Sequence, residues 1–166
     1  MAYLEIERKF LVQGEYKSLA HNVTRIEQGY IASGNGRTVR VRIRDDKGFL
    51  TIKGPSDAAG LGRFEWEKEI SADEARALLS IAEPGIISKS RYLITGQDGH
   101  LWEVDEFYGE NEGLTMAEIE LSAADEAFVR PSFIGREVTG DRRFYNSHMR
   151  KYPYRLWKHD ISLQAE

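Results

Sequence analysis

The sequence predicts an α+β fold dominated by strands, in which eight antiparallel strands close into a β-barrel with a few flanking helices. Eight short segments alternate apolar and polar residues with a period of two, which is the side-chain period of a β-strand. Short turns at residues 45–48 and 97–99 separate neighbouring segments and favour antiparallel pairing. One face of most segments is charged, and the charges on that face share one sign.

Composition limits the class of protein. A chain of 166 residues is large enough for one domain with its own core. The net charge of −4 gives no general basic field that would attract nucleic acid or an anionic membrane. Cysteine is absent, which excludes disulfides and cysteine-based zinc sites. With neither a signal-peptide pattern nor a long apolar run, we expect a cytoplasmic protein without a membrane span.

The strands are predicted in segments rich in β-branched and aromatic residues, most of them bounded by Gly, Asp, Asn or Pro. They cover residues 5–12, 24–31, 38–45, 49–54, 63–70, 88–95, 101–107 and 116–122. A loop rich in Gly, Ala and Ser follows the fourth strand at residues 54–62, and we expect it to lie near a site entrance.

Three helices interrupt the strands. Ser71 and Glu74 form a capping box that opens a predicted helix over residues 72–82. A shorter helix is predicted from Ser122 to the residue before Pro131, and a third over residues 141–152. The expected organisation is therefore one domain over residues 1–152 and a C-terminal tail over residues 153–166.

The charged faces are the most informative feature. Residues two apart on a strand share a face and lie roughly 7 Å apart, so like charges there repel unless opposite charge lies between them. Each strand by itself fits a sheet whose charged face meets water. For the whole set, the segregation of sign by strand and the scarcity of Ser, Thr, Asn and Gln on these faces favour a closed barrel with the charges inside. The apolar faces then point outward, which suggests covering helices and a homodimer.

A charged lumen needs ligands, because each unpaired charge in a confined space of low dielectric costs on the order of several kcal/mol. A wall of Lys and Arg suits a polyphosphate, to which Arg can donate two hydrogen bonds at once. Carboxylates without His or Cys suit Mg²⁺ or Mn²⁺ rather than Zn²⁺. The pattern therefore predicts an anion and a hard cation together.

Eight short motifs follow one another in a recognisable order. The first is Glu5-x-Glu7-x-Lys9, and the others are Gln28-Gly29-Tyr30, Arg40-x-Arg42, Thr51-Ile52-Lys53, Glu65-x-Glu67, Lys89-Ser90-Arg91-Tyr92, Glu103-x-Asp105 and Glu118-x-Glu120. With the segment from Asp141 to Asn146, this series resembles the CYTH family, the triphosphate tunnel metalloenzymes, over about residues 3–152. The resemblance implies the same closed eight-stranded barrel, with the triphosphate bound in its tunnel.

The resemblance also implies roles for individual residues. The phosphates would be held by Lys9, Arg40, Arg42, Lys53, Lys89, Arg91 and Arg143. Metal would be held by Glu5, Glu7, Asp105, Glu118 and Glu120, and the acidic wall would be extended by Glu65, Glu67 and Glu103. Lys89, crowded by Arg91, would have a lowered pKa and act as general base with Tyr30 as its partner.

The implied activity is metal-dependent hydrolysis of inorganic triphosphate to pyrophosphate and phosphate. The family also contains thiamine triphosphatases, RNA triphosphatases and class IV adenylate cyclases, so the fold leaves these substrates open. A module that binds polyphosphate without turnover is the alternative from another class. The presence of every metal carboxylate alongside Lys89 favours the enzyme. A nucleic-acid ribbon at residues 39–44 is disfavoured because acidic strands surround it.

Overall fold

The computed structural model describes residues 3–162, and nine strands and three α-helices lie within that range. The strands are β1 (Tyr3–Val12), β2 (Asn22–Gly34), β3 (Arg37–Arg44), β4 (Lys47–Ser56), β5 (Gly62–Ser71), β6 (Ile87–Thr95), β7 (Leu101–Phe107), β8 (Thr115–Leu121) and β9 (Ile134–Glu137). The helices are α1 (Ala72–Ser80), α2 (Asn146–Met149) and α3 (Lys158–Ser162).

The predicted closed barrel is confirmed. Eight strands form an antiparallel ring in the order β1-β8-β7-β6-β2-β3-β4-β5, and β5 returns to β1. The closing contact is short, with Tyr3 opposite Glu65 and Ile6 opposite Gly62. Beyond Ile6, the same edge of β1 pairs with the extra strand β9. One strand thus serves both the closure of the ring and the attachment of the outer layer.

Strand β9 is absent from the sequence-based prediction. It has four residues, and it pairs with β1 through Glu137 opposite Phe10 and Ile134 opposite Val12. The carboxylate of Glu137 accepts two hydrogen bonds from Arg8, at 2.6 and 2.7 Å. A segment this short contains too few alternating positions to be recognised without its partner strand.

The three predicted helices have different outcomes. The first is confirmed as α1, with the Ser71 hydroxyl accepting a hydrogen bond from the Glu74 amide at 3.0 Å. The second is wrong, because residues 122–131 form turns and irregular backbone. There the amide and hydroxyl of Ser122 donate to Glu126, which also pairs with His100. A side chain competes with the helix for the same backbone donors.

The third helix prediction is mostly wrong. Residues Arg142–Phe144 form a 3₁₀ turn, and α2 covers only Asn146–Met149. Between them Tyr145 is extended, with φ −77° and ψ 131°. This break turns the Tyr145 ring toward the ammonium of Lys9, 4.9 Å from the ring centroid. A tertiary contact thus overrides the helical pattern.

Apolar groups cover the outside of the barrel unevenly. The outer faces of β1, β6, β7 and β8 pack against residues 128–134, with Phe10, Trp102 and Phe133 at the centre of the cluster. Helix α1 covers β2, β3 and β4. Over β4, β5 and the start of β1, the side chains of Leu4, Ile52 and Phe64 are exposed. The homodimer stays a prediction.

An apolar plug fills part of the lumen at the end where β6 begins and β7 ends. Its members are Ile87, Phe107, Met116, Phe144, Met149 and Trp157. The first three lie on the same strand faces as Lys89, Asp105 and Glu118, so they point inward. The inner face is therefore charged along most of its length and apolar at this end.

The C-terminal segment takes part in this plug through Trp157, whose indole nitrogen donates to the carbonyl of Tyr152 at 2.8 Å. The boundary predicted after residue 152 stays a prediction, and residues 1–2 and 163–166 lie outside the described range. Within residues 3–162, none of the helices has the length and apolar character needed to cross a lipid bilayer.

We predict that Gly48→Ala will destabilise the barrel by about 1–3 kcal/mol through overpacking. A Cβ at Gly48 would lie 2.7 Å from the Cβ of Ala75 and 2.7 Å from the carbonyl oxygen of Ser71, so α1 would have to shift. Gly34→Ala is the control, because a Cβ there would have no neighbour within 4 Å. Urea unfolding should show a loss for the first variant only, and equal midpoints would contradict the packing of α1.

Candidate active site

The lumen contains a cavity of about 240 Å³ into which most of the predicted site residues project. Its lining includes thirteen of them: Glu5, Glu7, Lys9, Tyr30, Arg40, Arg42, Lys53, Glu65, Glu67, Arg91, Glu103, Glu118 and Glu120. The orientation predicted for the charged faces is therefore confirmed. Residues far apart in the sequence meet because each strand contributes every second side chain to the same space.

Arg40 and Arg42 form the centre of the basic wall, side by side on the inner face of β3. Both are largely buried, and their Nε–H groups find no hydrogen-bond acceptor among the described residues. Burial, together with the neighbouring cations Arg40 and Arg91, lowers the pKa of Arg42 to about 9. Glu67 offsets this only in part, at 3.4 Å from Arg42 and 3.9 Å from Arg40. This wall has more positive charge and more donors than its own neighbours satisfy.

The acidic wall has the opposite imbalance. Glu7 lies directly across from Glu120 on the β1–β8 ladder, and Glu103 across from Glu118 on the β7–β8 ladder. Like charges in directly opposed positions destabilise a sheet. Burial and the nearby carboxylates, with Glu5 the foremost, raise the pKa of Glu120.

Lysines lie between the two walls and partly neutralise the acids. The ammonium of Lys53 is 2.9 Å from the carboxylate of Glu5. The ammonium of Lys9 lies 3.6 Å from Glu118 and 3.8 Å from Glu7. Although burial opposes the charge on Lys9, Glu118 and Glu7 together raise its pKa. These pairs hold the glutamates of β1 and β8 in place.

Lys89, Arg91 and Asp105 form a buried ion network deep in the barrel. Asp105 accepts two hydrogen bonds from Arg91, at 2.7 and 2.8 Å, and its second oxygen is 2.8 Å from the Lys89 ammonium. Lys89 also lies 5.5 Å from the ring centroid of Phe107, which belongs to the apolar plug. Burial lowers the pKa of Lys89 to about 8, with Asp105 opposing the shift and Arg91 adding to it.

The remaining predicted residues do not line the cavity. Asp105, predicted as a metal ligand, is 2% exposed, and its two oxygens are used by Arg91 and Lys89. Lys89 lies below the cavity wall, 3.5 Å from the amide oxygen of Asn146, which does line it. Arg143, predicted to reach the phosphates, pairs instead with Asp141 and lies over the rings of Phe144 and Trp157.

Lys89 and Tyr30, predicted to act as a general base and its partner, are not joined by a direct hydrogen bond among the described residues. The Tyr30 hydroxyl accepts a hydrogen bond from the side-chain amide of Gln28 at 3.4 Å. Tyr30 does line the cavity, so it can contact a bound anion.

Sequence reasoning missed several lining residues, including Arg63, Tyr145 and Asn146. Arg63 lies two residues before Glu65 on the same face of β5, so strand periodicity was a sufficient signal. Tyr145 had no such signal, because its position depends on the break between the 3₁₀ turn and α2.

The donors of the acidic wall suit a hard cation, since all are carboxylate oxygens. The opposed carboxylates and the raised pKa of Glu120 indicate that this wall has more negative charge than the nearby cations neutralise. Within residues 3–162, no three acidic or histidine side chains converge closely enough to hold a metal as they stand. Glu5 and Glu7, each paired with a lysine ammonium, are carboxylates that could hold a cation there if that ammonium moved away.

Comparison with known proteins agrees with this geometry. The family model described as the CYTH domain matches residues 3–145. The chain is 50% identical to an inorganic triphosphatase of Acetivibrio thermocellus over 156 residues, covering 93% of this chain and 97% of that protein. It is 34% identical to an inorganic triphosphatase of Nitrosomonas europaea over 145 residues, covering 86% and 93%. The crystal structure of the inorganic triphosphatase NE1496 superposes with a TM-score of 0.64 at 31% identity, covering 87% and 93%.

We predict that Asp105→Asn will lower the free energy of unfolding by about 3–5 kcal/mol, because it leaves Lys89 and Arg91 buried without their shared counter-charge. Glu103→Gln is the matched control. Glu103 also pairs with Arg91, but its side chain is 30% exposed and Asp105 remains as a partner. A loss of at most about 1 kcal/mol is expected for the control. Denaturant unfolding measures both, and similar losses would contradict a central role of Asp105.

Proposed function

Because the chain belongs to the CYTH family, we propose that it is a metal-dependent hydrolase that cleaves inorganic triphosphate to pyrophosphate and phosphate. The names of its two relatives support the reaction class, and the chemistry of the cavity supports a compact, highly charged anion as substrate. The proposed metal is Mg²⁺ or Mn²⁺, because the available ligands are carboxylates.

One observation carries this proposal: the buried guanidiniums of Arg40 and Arg42 lack acceptors for their Nε–H groups. Buried donors left unpaired cost on the order of 1–3 kcal/mol each, and a phosphate oxygen between them would remove that cost. An anion there would also relieve the repulsion from Arg40 and Arg91, which adds to the effect of burial in lowering the pKa of Arg42. Phosphate suits the site because each guanidinium can donate in parallel to two of its oxygens.

The charge balance of the cavity supports a metal requirement. Its lining has seven acidic side chains, Glu5, Glu7, Glu65, Glu67, Glu103, Glu118 and Glu120, and seven basic ones, Lys9, Arg40, Arg42, Arg44, Lys53, Arg63 and Arg91. A triphosphate would add several negative charges to a space that is already balanced. A divalent cation on the acidic wall would offset them, so we expect anion and metal to bind together.

The chain's own residues then perform positioning and proton transfer. The phosphate oxygens are held against the basic wall by Arg40, Arg42 and Lys53. This fixes the triphosphate for in-line attack by water on its terminal phosphorus. Lys89 is the proposed base, since its lowered pKa of about 8 makes the neutral form accessible. Because Lys89 lies behind Asn146 and does not line the cavity, the attacking water would have to approach it beside Asn146 to give up its proton. The bridging oxygen would leave with pyrophosphate. A bound divalent cation supplies charge neutralisation at the phosphate oxygens.

We predict phosphate release from tripolyphosphate that requires Mg²⁺ or Mn²⁺ and stops when EDTA is added. The assay should compare tripolyphosphate with ATP, thiamine triphosphate and long-chain polyphosphate at equal metal. We expect the highest kcat/KM for tripolyphosphate, because the lining has little apolar surface for a base or thiazole ring. Release from none of the four would contradict an enzyme and favour the binding module.

Lys89→Ala should lower kcat for tripolyphosphate by about 10²–10⁴-fold, the range typical of a lost general base. Lys68→Ala, on the outer face of β5, is the matched control and should keep full activity. Both variants should be measured at saturating metal, with circular dichroism to verify folding. Unchanged phosphate release by Lys89→Ala would show that Lys89 is not the base.

A further inference from the structure

A second, larger cavity of about 790 Å³ adjoins the lumen, and we name it the vestibule. It is lined by residues from the β2–β3 turn (33–38), the end of β4 with the loop that follows (55–60), the segment 140–151 and Arg63 of β5. Four residues line both cavities, Thr38, Arg63, Tyr145 and Ser147, so the vestibule begins where the lumen ends.

The vestibule has a large surplus of positive charge. Its basic lining residues are Arg37, Arg63, Arg142, Arg150 and Lys151. Among its described lining residues the single acid is Asp57, whose carboxylate already accepts the backbone amides of Ala59, Leu61 and Gly62 at 2.9–3.1 Å. The chain as a whole has a net charge of −4, so this concentration of cations is local.

The basic side chains of the vestibule divide into two groups. Arg150 is already engaged by Glu83 and Ser33, and Arg63 donates from Nε to the carbonyl of Gly54. Arg37, Arg142 and Lys151 are exposed, and none of them has an acidic partner within residues 3–162. The second group is therefore free to bind an anion.

The opposite mouth of the lumen has no surplus of positive charge. There the cavity of about 440 Å³ shares Arg44, Arg91 and Glu103 with the lumen. Its remaining charged residues are Asp45, Asp46 and Lys47, so acids and bases are balanced. An anionic chain that extends beyond the lumen is thus favoured on the vestibule side.

Each of the two aromatic side chains that line the described part of the vestibule already has a contact within the protein. Among its described lining residues, the Tyr145 ring faces the Lys9 ammonium, and the His148 ring stacks on Tyr152 with centroids 5.0 Å apart. The rest of the vestibule lining consists mainly of cationic side chains, hydroxyls and peptide groups. Such a lining suits repeated phosphates better than a nucleoside.

We propose that the vestibule is a second anion-binding site that holds the phosphates beyond the third of a linear polyphosphate whose end lies in the lumen, with Arg37 and Arg142 as its main contacts. This inference rests on the proposed function, since it assumes that the lumen binds phosphate. The vestibule would then set the preference for chain length without taking part in the chemistry.

The test is the double variant Arg37→Gln/Arg142→Gln, assayed with tripolyphosphate and with a long linear polyphosphate. We expect kcat/KM for the long chain to fall roughly tenfold and kcat/KM for tripolyphosphate to change less than about twofold. Lys68→Gln/Arg76→Gln removes the same charge from the outer surface and should change neither. Arg37→Lys/Arg142→Lys keeps the charge and should retain most of the long-chain activity.

Equal losses with both substrates, or no loss with either, would overturn the vestibule site. Calorimetric binding of the same two phosphates at saturating Mg²⁺, measured in the Lys89→Ala background to prevent turnover, separates this inference from the proposed function. If the wild type hydrolyses neither substrate but the double variant loses affinity only for the long chain, the proposed function fails and the vestibule stands. If hydrolysis proceeds and the affinities of the double variant match those of the wild type, the vestibule fails alone.

Discussion

The constraint on which the whole molecule depends is charge neutrality inside a closed barrel. Fourteen charged side chains line the lumen in equal numbers of each sign, and the deepest of the ion networks joins Lys89, Arg91 and Asp105 under the cavity. Removing charges from water is costly, and attraction within the barrel compensates only when partners are in place. The fold supplies those partners from different strands, so closure of the ring and neutrality of the lumen depend on each other.

The apolar residues have the complementary arrangement. In a barrel with an apolar interior they would fill the middle, whereas here the main clusters lie outside the ring or at one end of it. Phe107 of the plug lies beneath Lys89, and the burial of this ammonium lowers its pKa. Packing at this end is therefore also part of the electrostatics of the site. The exposed surface around Leu4, Ile52 and Phe64 has no such role within one chain.

The distribution of charge between the two walls of the lumen also explains why the site suits an anion and a metal together. The Nε–H groups of Arg40 and Arg42 lack acceptors among the described residues, while Glu120 is crowded by other acids. Each wall therefore has an excess of charge that the other does not fully offset. Lys9 and Lys53 fill part of the gap as internal counter-ions. Because these ammonium groups end long, flexible side chains, they could move without rearrangement of the backbone if a metal took their place.

The sequence by itself determined the eight barrel strands and their inward faces, because a period of two fixes which side chains share a face. Those faces, together with the resemblance to the family, also indicated thirteen of the lining residues. The sequence also indicated α1 through its capping box. Tertiary structure alone decided what each inward side chain reaches. Asp105 and Arg143 carry the expected charges, but their contacts differ from the prediction. Asp105 pairs with the buried cations Lys89 and Arg91. Arg143 pairs with Asp141 and lies over the ring of Trp157 in the plug. The position of Tyr145, strand β9 and the turn at Ser122 likewise depend on partners distant in sequence, which no local pattern can specify.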